Sequence, residues 1–124
     1  MTAALWHLTS RQEWDRAVAA GCYDRSTRGL SLDQVGFVHC SRPEQLPGVA
    51  AVVYAGCTDE LVVLELDEEH LAAAGSSVRT EPADPDDPGS ERYPHVHGPV
   101  PVAAVVAVRP ARMVAGRLWV GEPG

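Results

Sequence analysis

A chain of 124 residues, 45% hydrophobic and 22% charged, has the length and balance of one globular domain. It can bury a core without help from metals or disulfides. Seventeen acidic residues against ten basic ones give a net charge of −7, a field that repels a phosphate backbone and disfavours nucleic acid as an extended partner. No apolar run approaches the roughly 18 residues of a membrane span, and the N-terminus lacks the basic and long apolar parts of a signal peptide. Cys22, Cys40 and Cys57 follow no paired spacing, so free thiols in a reducing cytoplasm are expected.

In chain order, Ala3 to Thr9 alternates around Leu5, Trp6 and Leu8, which predicts a first strand carrying His7 near its end. Ser10-Arg11-Gln12-Glu13 is a capping box, and Trp14, Ala17 and Val18 form the apolar stripe of a helix that stops at Gly21. The next stretch is less regular, with a turn at Thr27-Arg28-Gly29 and one helical turn at Ser31 to Gln34. Phe37 to Cys40 reads as a second strand. Ser41-Arg42-Pro43-Glu44 repeats the capping-box pattern, and Pro47-Gly48 predicts an interruption, with helix resuming over Val49 to Ala55.

Leu61 to Leu66 is almost continuously apolar, the pattern of a strand covered on both faces. Asp67 should cap a short helix to Ala74, and Val78 to Glu81 should be a strand. Glu81 to Arg92 is rich in proline and acid and predicts a mobile surface loop. Tyr93-Pro94-His95-Val96-His97-Gly98 follows, then strands over Val102 to Val108 and Val114 to Val120. With no internal repeat and no long linker, the prediction is a single α+β domain, residues 1–124, with a mixed, mostly antiparallel sheet and short flanking helices.

The chemistry concentrates on histidines at strand ends. His39 and Ser41 are two residues apart, so in a strand their side chains share one face. Ser41 as a cap would also place a helix N-terminus, which favours anions, beside them. Cys40 points to the opposite face and reads as core rather than nucleophile. His95 and His97 repeat the two-residue spacing, and with a third ligand from His39 or His7 they would make a zinc-type set. Glu81, at a strand end, is the best-placed carboxylate; Glu65 sits in an apolar run and asks for an arginine partner. His70, in an acidic helix, reads as solvated, and Arg28, Arg42, Arg79 and Arg92 as surface residues.

The blocks Leu5-Trp6-His7-Leu8-Thr9, Gly36-Phe37-Val38-His39-Cys40-Ser41, Leu61 to Asp67 and Tyr93-Pro94-His95-Val96-His97-Gly98-Pro99-Val100 resemble, in order, those of a bacterial family called domain of unknown function 952. That resemblance implies a fold similar to the ADP-ribosyltransferase superfamily, which includes the RNA 2′-phosphotransferases, and NAD as the cofactor. It implies that His7 holds the nicotinamide ribose, that His39 and Ser41 line the nicotinamide pocket, and that His95 or Glu81 occupies the third position. Two features depart from it: no catalytic glutamate is clearly placed, and His97 stands where an aromatic residue usually follows Pro-His-x.

Three readings follow. The first is an NAD-dependent transferase with His7, His39 and His95 as catalytic residues and Ser41, Glu81 and His97 contacting a nucleotide-like ligand. The second is a non-catalytic binding module for such a ligand, and the third a histidine metal site.

Overall fold

The computed structural model describes residues 5–27, 30–31 and 35–123. In chain order its elements are β1 (Leu5–Ser10), α1 (Arg11–Ala20), β2 (Cys22–Tyr23), β3 (Arg25–Thr27), β4 (Leu30–Ser31), β5 (Val38–His39), α2 (Leu46–Val53), β6 (Leu61–Leu66), α3 (Glu68–Ala73), β7 (Ser77–Pro82), β8 (Arg92–His97), β9 (Val100–Pro101), a 3₁₀ turn (Val102–Ala104), β10 (Val105–Val114) and β11 (Arg117–Val120). The turn expected at Thr27 to Gly29, the helical turn expected at Ser31 to Gln34 and the start of the first strand lie wholly or partly outside the described residues.

The two main sheets are β1-β6-β10-β11 and β5-β8-β7, with two short pairs, β2-β9 and β3-β4. Every pairing among the described residues is antiparallel, so the expected mixed sheet is corrected. The segment 38–41 makes the corner between the sheets. Val38 and His39 pair with Val96 and His95 of β8, and Cys40 N–H still donates to the Pro94 carbonyl at 3.0 Å. Ser41 then exchanges backbone hydrogen bonds with Trp6 of β1, at 2.7 and 2.8 Å.

β6 shows why its sequence is continuously apolar. Val62, Leu64 and Leu66 point into the core shared with Leu5, Trp14, Tyr23, Val38, Leu71 and Val96. Leu61 and Val63 point the other way, beneath α2, against Leu8, Leu46, Ala50 and Tyr54. A strand with period 2 and a core on each side has no polar face to show.

The local caps hold where nothing distant competes. Glu13 N–H donates to Ser10 Oγ at 3.1 Å, and Gly21, at φ 86°, closes α1 with a hydrogen bond to the Ala17 carbonyl. The Glu13 carboxylate meets Arg25 Nε at 2.9 Å. His70 N–H donates to Asp67 Oδ2 at 3.2 Å, which starts α3 as expected.

Several expectations are corrected. Val18 is 53% exposed, so the buried stripe of α1 is Trp14 and Ala17. Ser41 caps no helix, because its main chain is committed to Trp6; α2 begins after Gln45, and Pro47 sits in its first turn, where a missing N–H costs nothing. Pro47-Gly48 thus opens the helix instead of interrupting it. The strand expected over Val102 to Val108 is a 3₁₀ turn followed by β10, which runs on to Val114. Ala115 and Gly116, at φ 49° and 80°, make the hairpin turn into β11. The acidic segment is a hydrogen-bonded connection between β7 and β8: Ala83 N–H donates to the Glu91 carbonyl at 2.8 Å, and Asp84, Asp87 and Ser90 cap the turns within it. Among the described residues no helix is long and apolar enough to cross a membrane.

Candidate functional site

The three-stranded sheet sorts its residues by parity. Val38, Val78 and Val96 turn to the core. His39 pairs with His95, Arg79 also pairs with His95, and Glu81 pairs with Tyr93. The alternation therefore puts His39, Arg79, Glu81, Tyr93, His95 and His97 on the opposite face. Phe37, two residues before His39, covers that face: its ring stacks on His95 with centroids 4.0 Å apart at 13° and lies 5.5 Å from the His97 ring. His95 is consequently 3% exposed although it is outside the core.

The polar atoms on this face form a continuous chain. Glu81 Oε1 lies 2.9 Å from His95 Nδ1 and 2.7 Å from His97 Nε2. The other nitrogen of His95, Nε2, lies 3.2 Å from His39 Nδ1. An ionised carboxylate only accepts, so both nitrogens facing Glu81 carry protons. Neutral His95 then has a bare Nε2, to which His39 Nδ1–H donates. That leaves His39 Nε2 as the open, basic end of the chain, with no partner among the described residues.

The electrostatics agree with neutral rings beside an ionised acid. Burial, reinforced by the neighbouring His95 and His7, holds His39 down at about 4. Burial also lowers His95, against the opposing pull of Glu81. The hydrogen bond from His97, followed by that from His95, holds Glu81 below the usual carboxylate range. Beside the chain is a cavity of about 250 Å³ lined by Phe37, Glu81, Pro82, Ala83, Pro85 and His95. Its volume falls below the roughly 300 Å³ at which pockets for drug-sized ligands begin, so it suits one ring rather than a dinucleotide. An open depression of about 570 Å³ elsewhere is bordered by charged groups of α1 and by Asp59 and Glu60; it contains no histidine, and Arg11 is paired there with Glu60.

His7 stands apart. It faces the core from β1 and is 3% exposed. Nδ1–H donates to the His39 carbonyl at 2.6 Å, since a carbonyl can only accept, and Nε2 accepts from the Tyr23 hydroxyl at 2.6 Å. Burial lowers its pKa to about 4 and raises that of Tyr23. Both ring nitrogens therefore face protein atoms.

Of the residues singled out in the sequence, His39, His95, His97 and Glu81 meet in one cluster. His7 touches it through the His39 main chain. Ser41 is 1% exposed at the sheet corner and joins β1. Cys40 is fully buried, with its thiol pushed up to about 12, which fits a core residue and not a nucleophile. His70 is exposed and bonded to Asp67. Glu65 accepts from Trp6 Nε1 at 3.1 Å and faces Arg109 at 3.9 Å, away from the cluster. Phe37 and the Pro82 to Pro85 edge were missed. The two-residue rule that links His39 to Ser41 also points backwards to Phe37, so that signal was available.

A family model described as a protein of unknown function (DUF952) matches residues 8–108. The crystal structure of protein CC0527 from Caulobacter crescentus is similar at 28% identity and a TM-score of 0.73, over 98% of this chain and 94% of that one. Its solution NMR structure is similar at 27% identity and a TM-score of 0.71, over 94% and 91%. No curated protein matches. The chain belongs to the DUF952 family.

Proposed function

We propose, starting from membership of that family, that this protein binds a small ligand along the outer face of β5 and β8, with a ring in the cavity at Phe37, Glu81 and His95 and its reacting group reaching across that face to His39, which lies outside the cavity lining. The ligand that fits the resemblance to ADP-ribosyltransferases and RNA 2′-phosphotransferases is NAD or a ribose phosphate. Its nicotinamide or sugar ring would enter the cavity and its phosphates would remain outside. One observation carries this reading: the run Glu81–His95–His39, with contacts of 2.9 and 3.2 Å, ends in a ring nitrogen with no partner among the described residues.

In such a site His39 Nε2 takes the proton of an attacking hydroxyl. For ADP-ribose transfer, the bond between nicotinamide and the ribose breaks, the hydroxyl oxygen bonds to the ribose carbon, and nicotinamide leaves. The charge that arrives on His39 is shared with His95 and offset by Glu81, and an anionic ligand beside His39 raises its low proton affinity. His7 acts as a positioning residue, because its N–H holds the His39 carbonyl. Ser41, at the sheet corner, fixes the same segment through Trp6.

The test is an NMR titration with NAD, ADP-ribose and nicotinamide. Shifts at Phe37, His39, Glu81 and His95, weakened in His39→Ala, support the reading. No shift at millimolar ligand, or equal binding by His39→Ala, removes it. Binding by wild type with no nicotinamide release identifies the non-catalytic module instead.

A further inference from the structure

We propose that Glu81, His95 and His97 form a binding site for a borderline divalent transition-metal ion of the zinc class. Their ligand atoms, one carboxylate oxygen and two imidazole nitrogens, all lie within 4.8 Å of one another. Two histidines and one carboxylate, with the remaining positions open to water or substrate, are a donor set that zinc and iron(II) both accept.

The geometry explains why these three residues converge. His95 and His97 are alternate residues of one strand. Glu81 reaches them diagonally, since it pairs with Tyr93 on the same face. Gly98 follows immediately at φ 130°, where a Cβ would meet Ser76 Oγ at 2.5 Å and its Cα at 3.0 Å, so the chain after His97 packs closely on Ser76. Phe37 holds the His95 ring flat on one side. Ligand atoms about 2.1 Å from one ion lie at most about twice that distance apart. The Glu81 oxygen already lies 2.9 and 2.7 Å from the two nitrogens, so an ion between them asks for a small adjustment of the partly exposed Glu81 and His97 side chains.

Metal binding also changes the proton arrangement. The ion takes the place of the protons that now face Glu81, so His95 Nδ1 and His97 Nε2 turn lone pairs towards it. The proton of His95 moves to Nε2 and donates to His39 Nδ1, as an outer partner typically receives it from a metal-bound imidazole. His39 then carries its own proton on Nε2. Loading the site thus changes the His39 end of the chain from acceptor to donor, so the proton transfer to His39 proposed above belongs to the metal-free protein. This inference does not depend on NAD as the ligand, and His97 lies outside the Glu81–His95–His39 run, so the two ideas fail separately.

The experiment is calorimetric titration of the tag-free, chelator-dialysed full chain with zinc, with imidazole nitrogen NMR on the same samples. Expected are one equivalent of zinc, affinity lower by roughly tenfold or more in His97→Ala and in Glu81→Gln, and a switch of the His39 tautomer on loading. Cys22→Ser, which removes the half-exposed thiol, should leave the binding unchanged. Failure of the wild type to bind zinc overturns the site. So does equal affinity in His97→Ala and Glu81→Gln, or unchanged His39 nitrogens in the loaded protein. Folding of the variants is read from the same spectra.

Discussion

Two imidazole environments in this molecule differ by which face of a strand they occupy. His7 and His95 are both 3% exposed and both carry a hydrogen bond on each ring nitrogen. His7 points from β1 into the core, and its partners, a backbone carbonyl and a tyrosine hydroxyl that also bonds Thr9, keep the network inside the protein. His95 lies on the far face of β8, and its partners lead outward, to Glu81 and a cavity on one side and to the open nitrogen of His39 on the other. Equal burial therefore does not mean equal role. A closed pair contributes stability, and a chain with a free end can exchange protons or ions with a ligand.

The largest expected effect separates the two directly. His7→Leu keeps the volume but removes the partner of the His39 carbonyl and leaves the Tyr23 hydroxyl with only its hydrogen bond to Thr9. At roughly 1–3 kcal/mol for a buried orphan, with the weakened Tyr23 site added, the loss should be about 2–3 kcal/mol. His97→Leu, at the partly exposed end of β8, should change stability by less than about 1 kcal/mol. Urea denaturation of both variants measures this, and similar losses would erase the distinction.

Acid should act on both environments, with an effect of similar size. His7 titrates at about 4 in the folded chain against an ordinary 6.5, so between these values the unfolded chain binds the extra proton. Stability is complete above about pH 6.5 and falls as pH drops towards 4, by about 3 kcal/mol from this group. His39, lowered to about 4, acts in the same direction. Of the groups facing His7, Tyr23 stays neutral throughout. His7→Gln keeps an N–H for the His39 carbonyl and an oxygen for the Tyr23 hydroxyl, and it should remove the His7 share of the slope while leaving that of His39. A wild-type profile that is already flat from pH 6.5 to 4.5 would mean that His7 is not held neutral.

What was legible in the sequence was what local chemistry decides. Ser10 and Asp67 cap helices because the donors they satisfy lie three residues away. Leu61 to Leu66 reads as a doubly covered strand because its pattern has no polar phase. Ser41 carries the same capping pattern as Ser10, yet it pairs with Trp6, 35 positions away, and no local rule weighs that competitor. The histidine pair on β8 follows from period 2. The junction of Glu81 with it depends on the register across the Pro82 to Glu91 turn, which no spacing rule gives. The sequence reading looked to His39 or His7 for a third metal ligand, whereas the hairpin register brings Glu81.

Phe37→Ala gives the smallest change and the sharpest test of the open region. The ring stacks on His95 at 4.0 Å, and an aromatic pair of this kind contributes about 0.5–1.5 kcal/mol beyond its buried area. Because the residue is only half-buried, the whole loss should stay near 1–2 kcal/mol. The informative readout is His95 itself. Burial is the main cause of its lowered proton affinity, and Glu81 opposes that shift. Removing the cover should therefore let its pKa rise towards the ordinary histidine value, while that of His7, on the opposite side of the sheet corner, stays where it is. Parallel NMR titrations of the two imidazoles would show this. A pKa for His95 that ignores the loss of Phe37 would mean that the polar chain alone sets the state of the ring, and that the cavity beside it has no hold on the site.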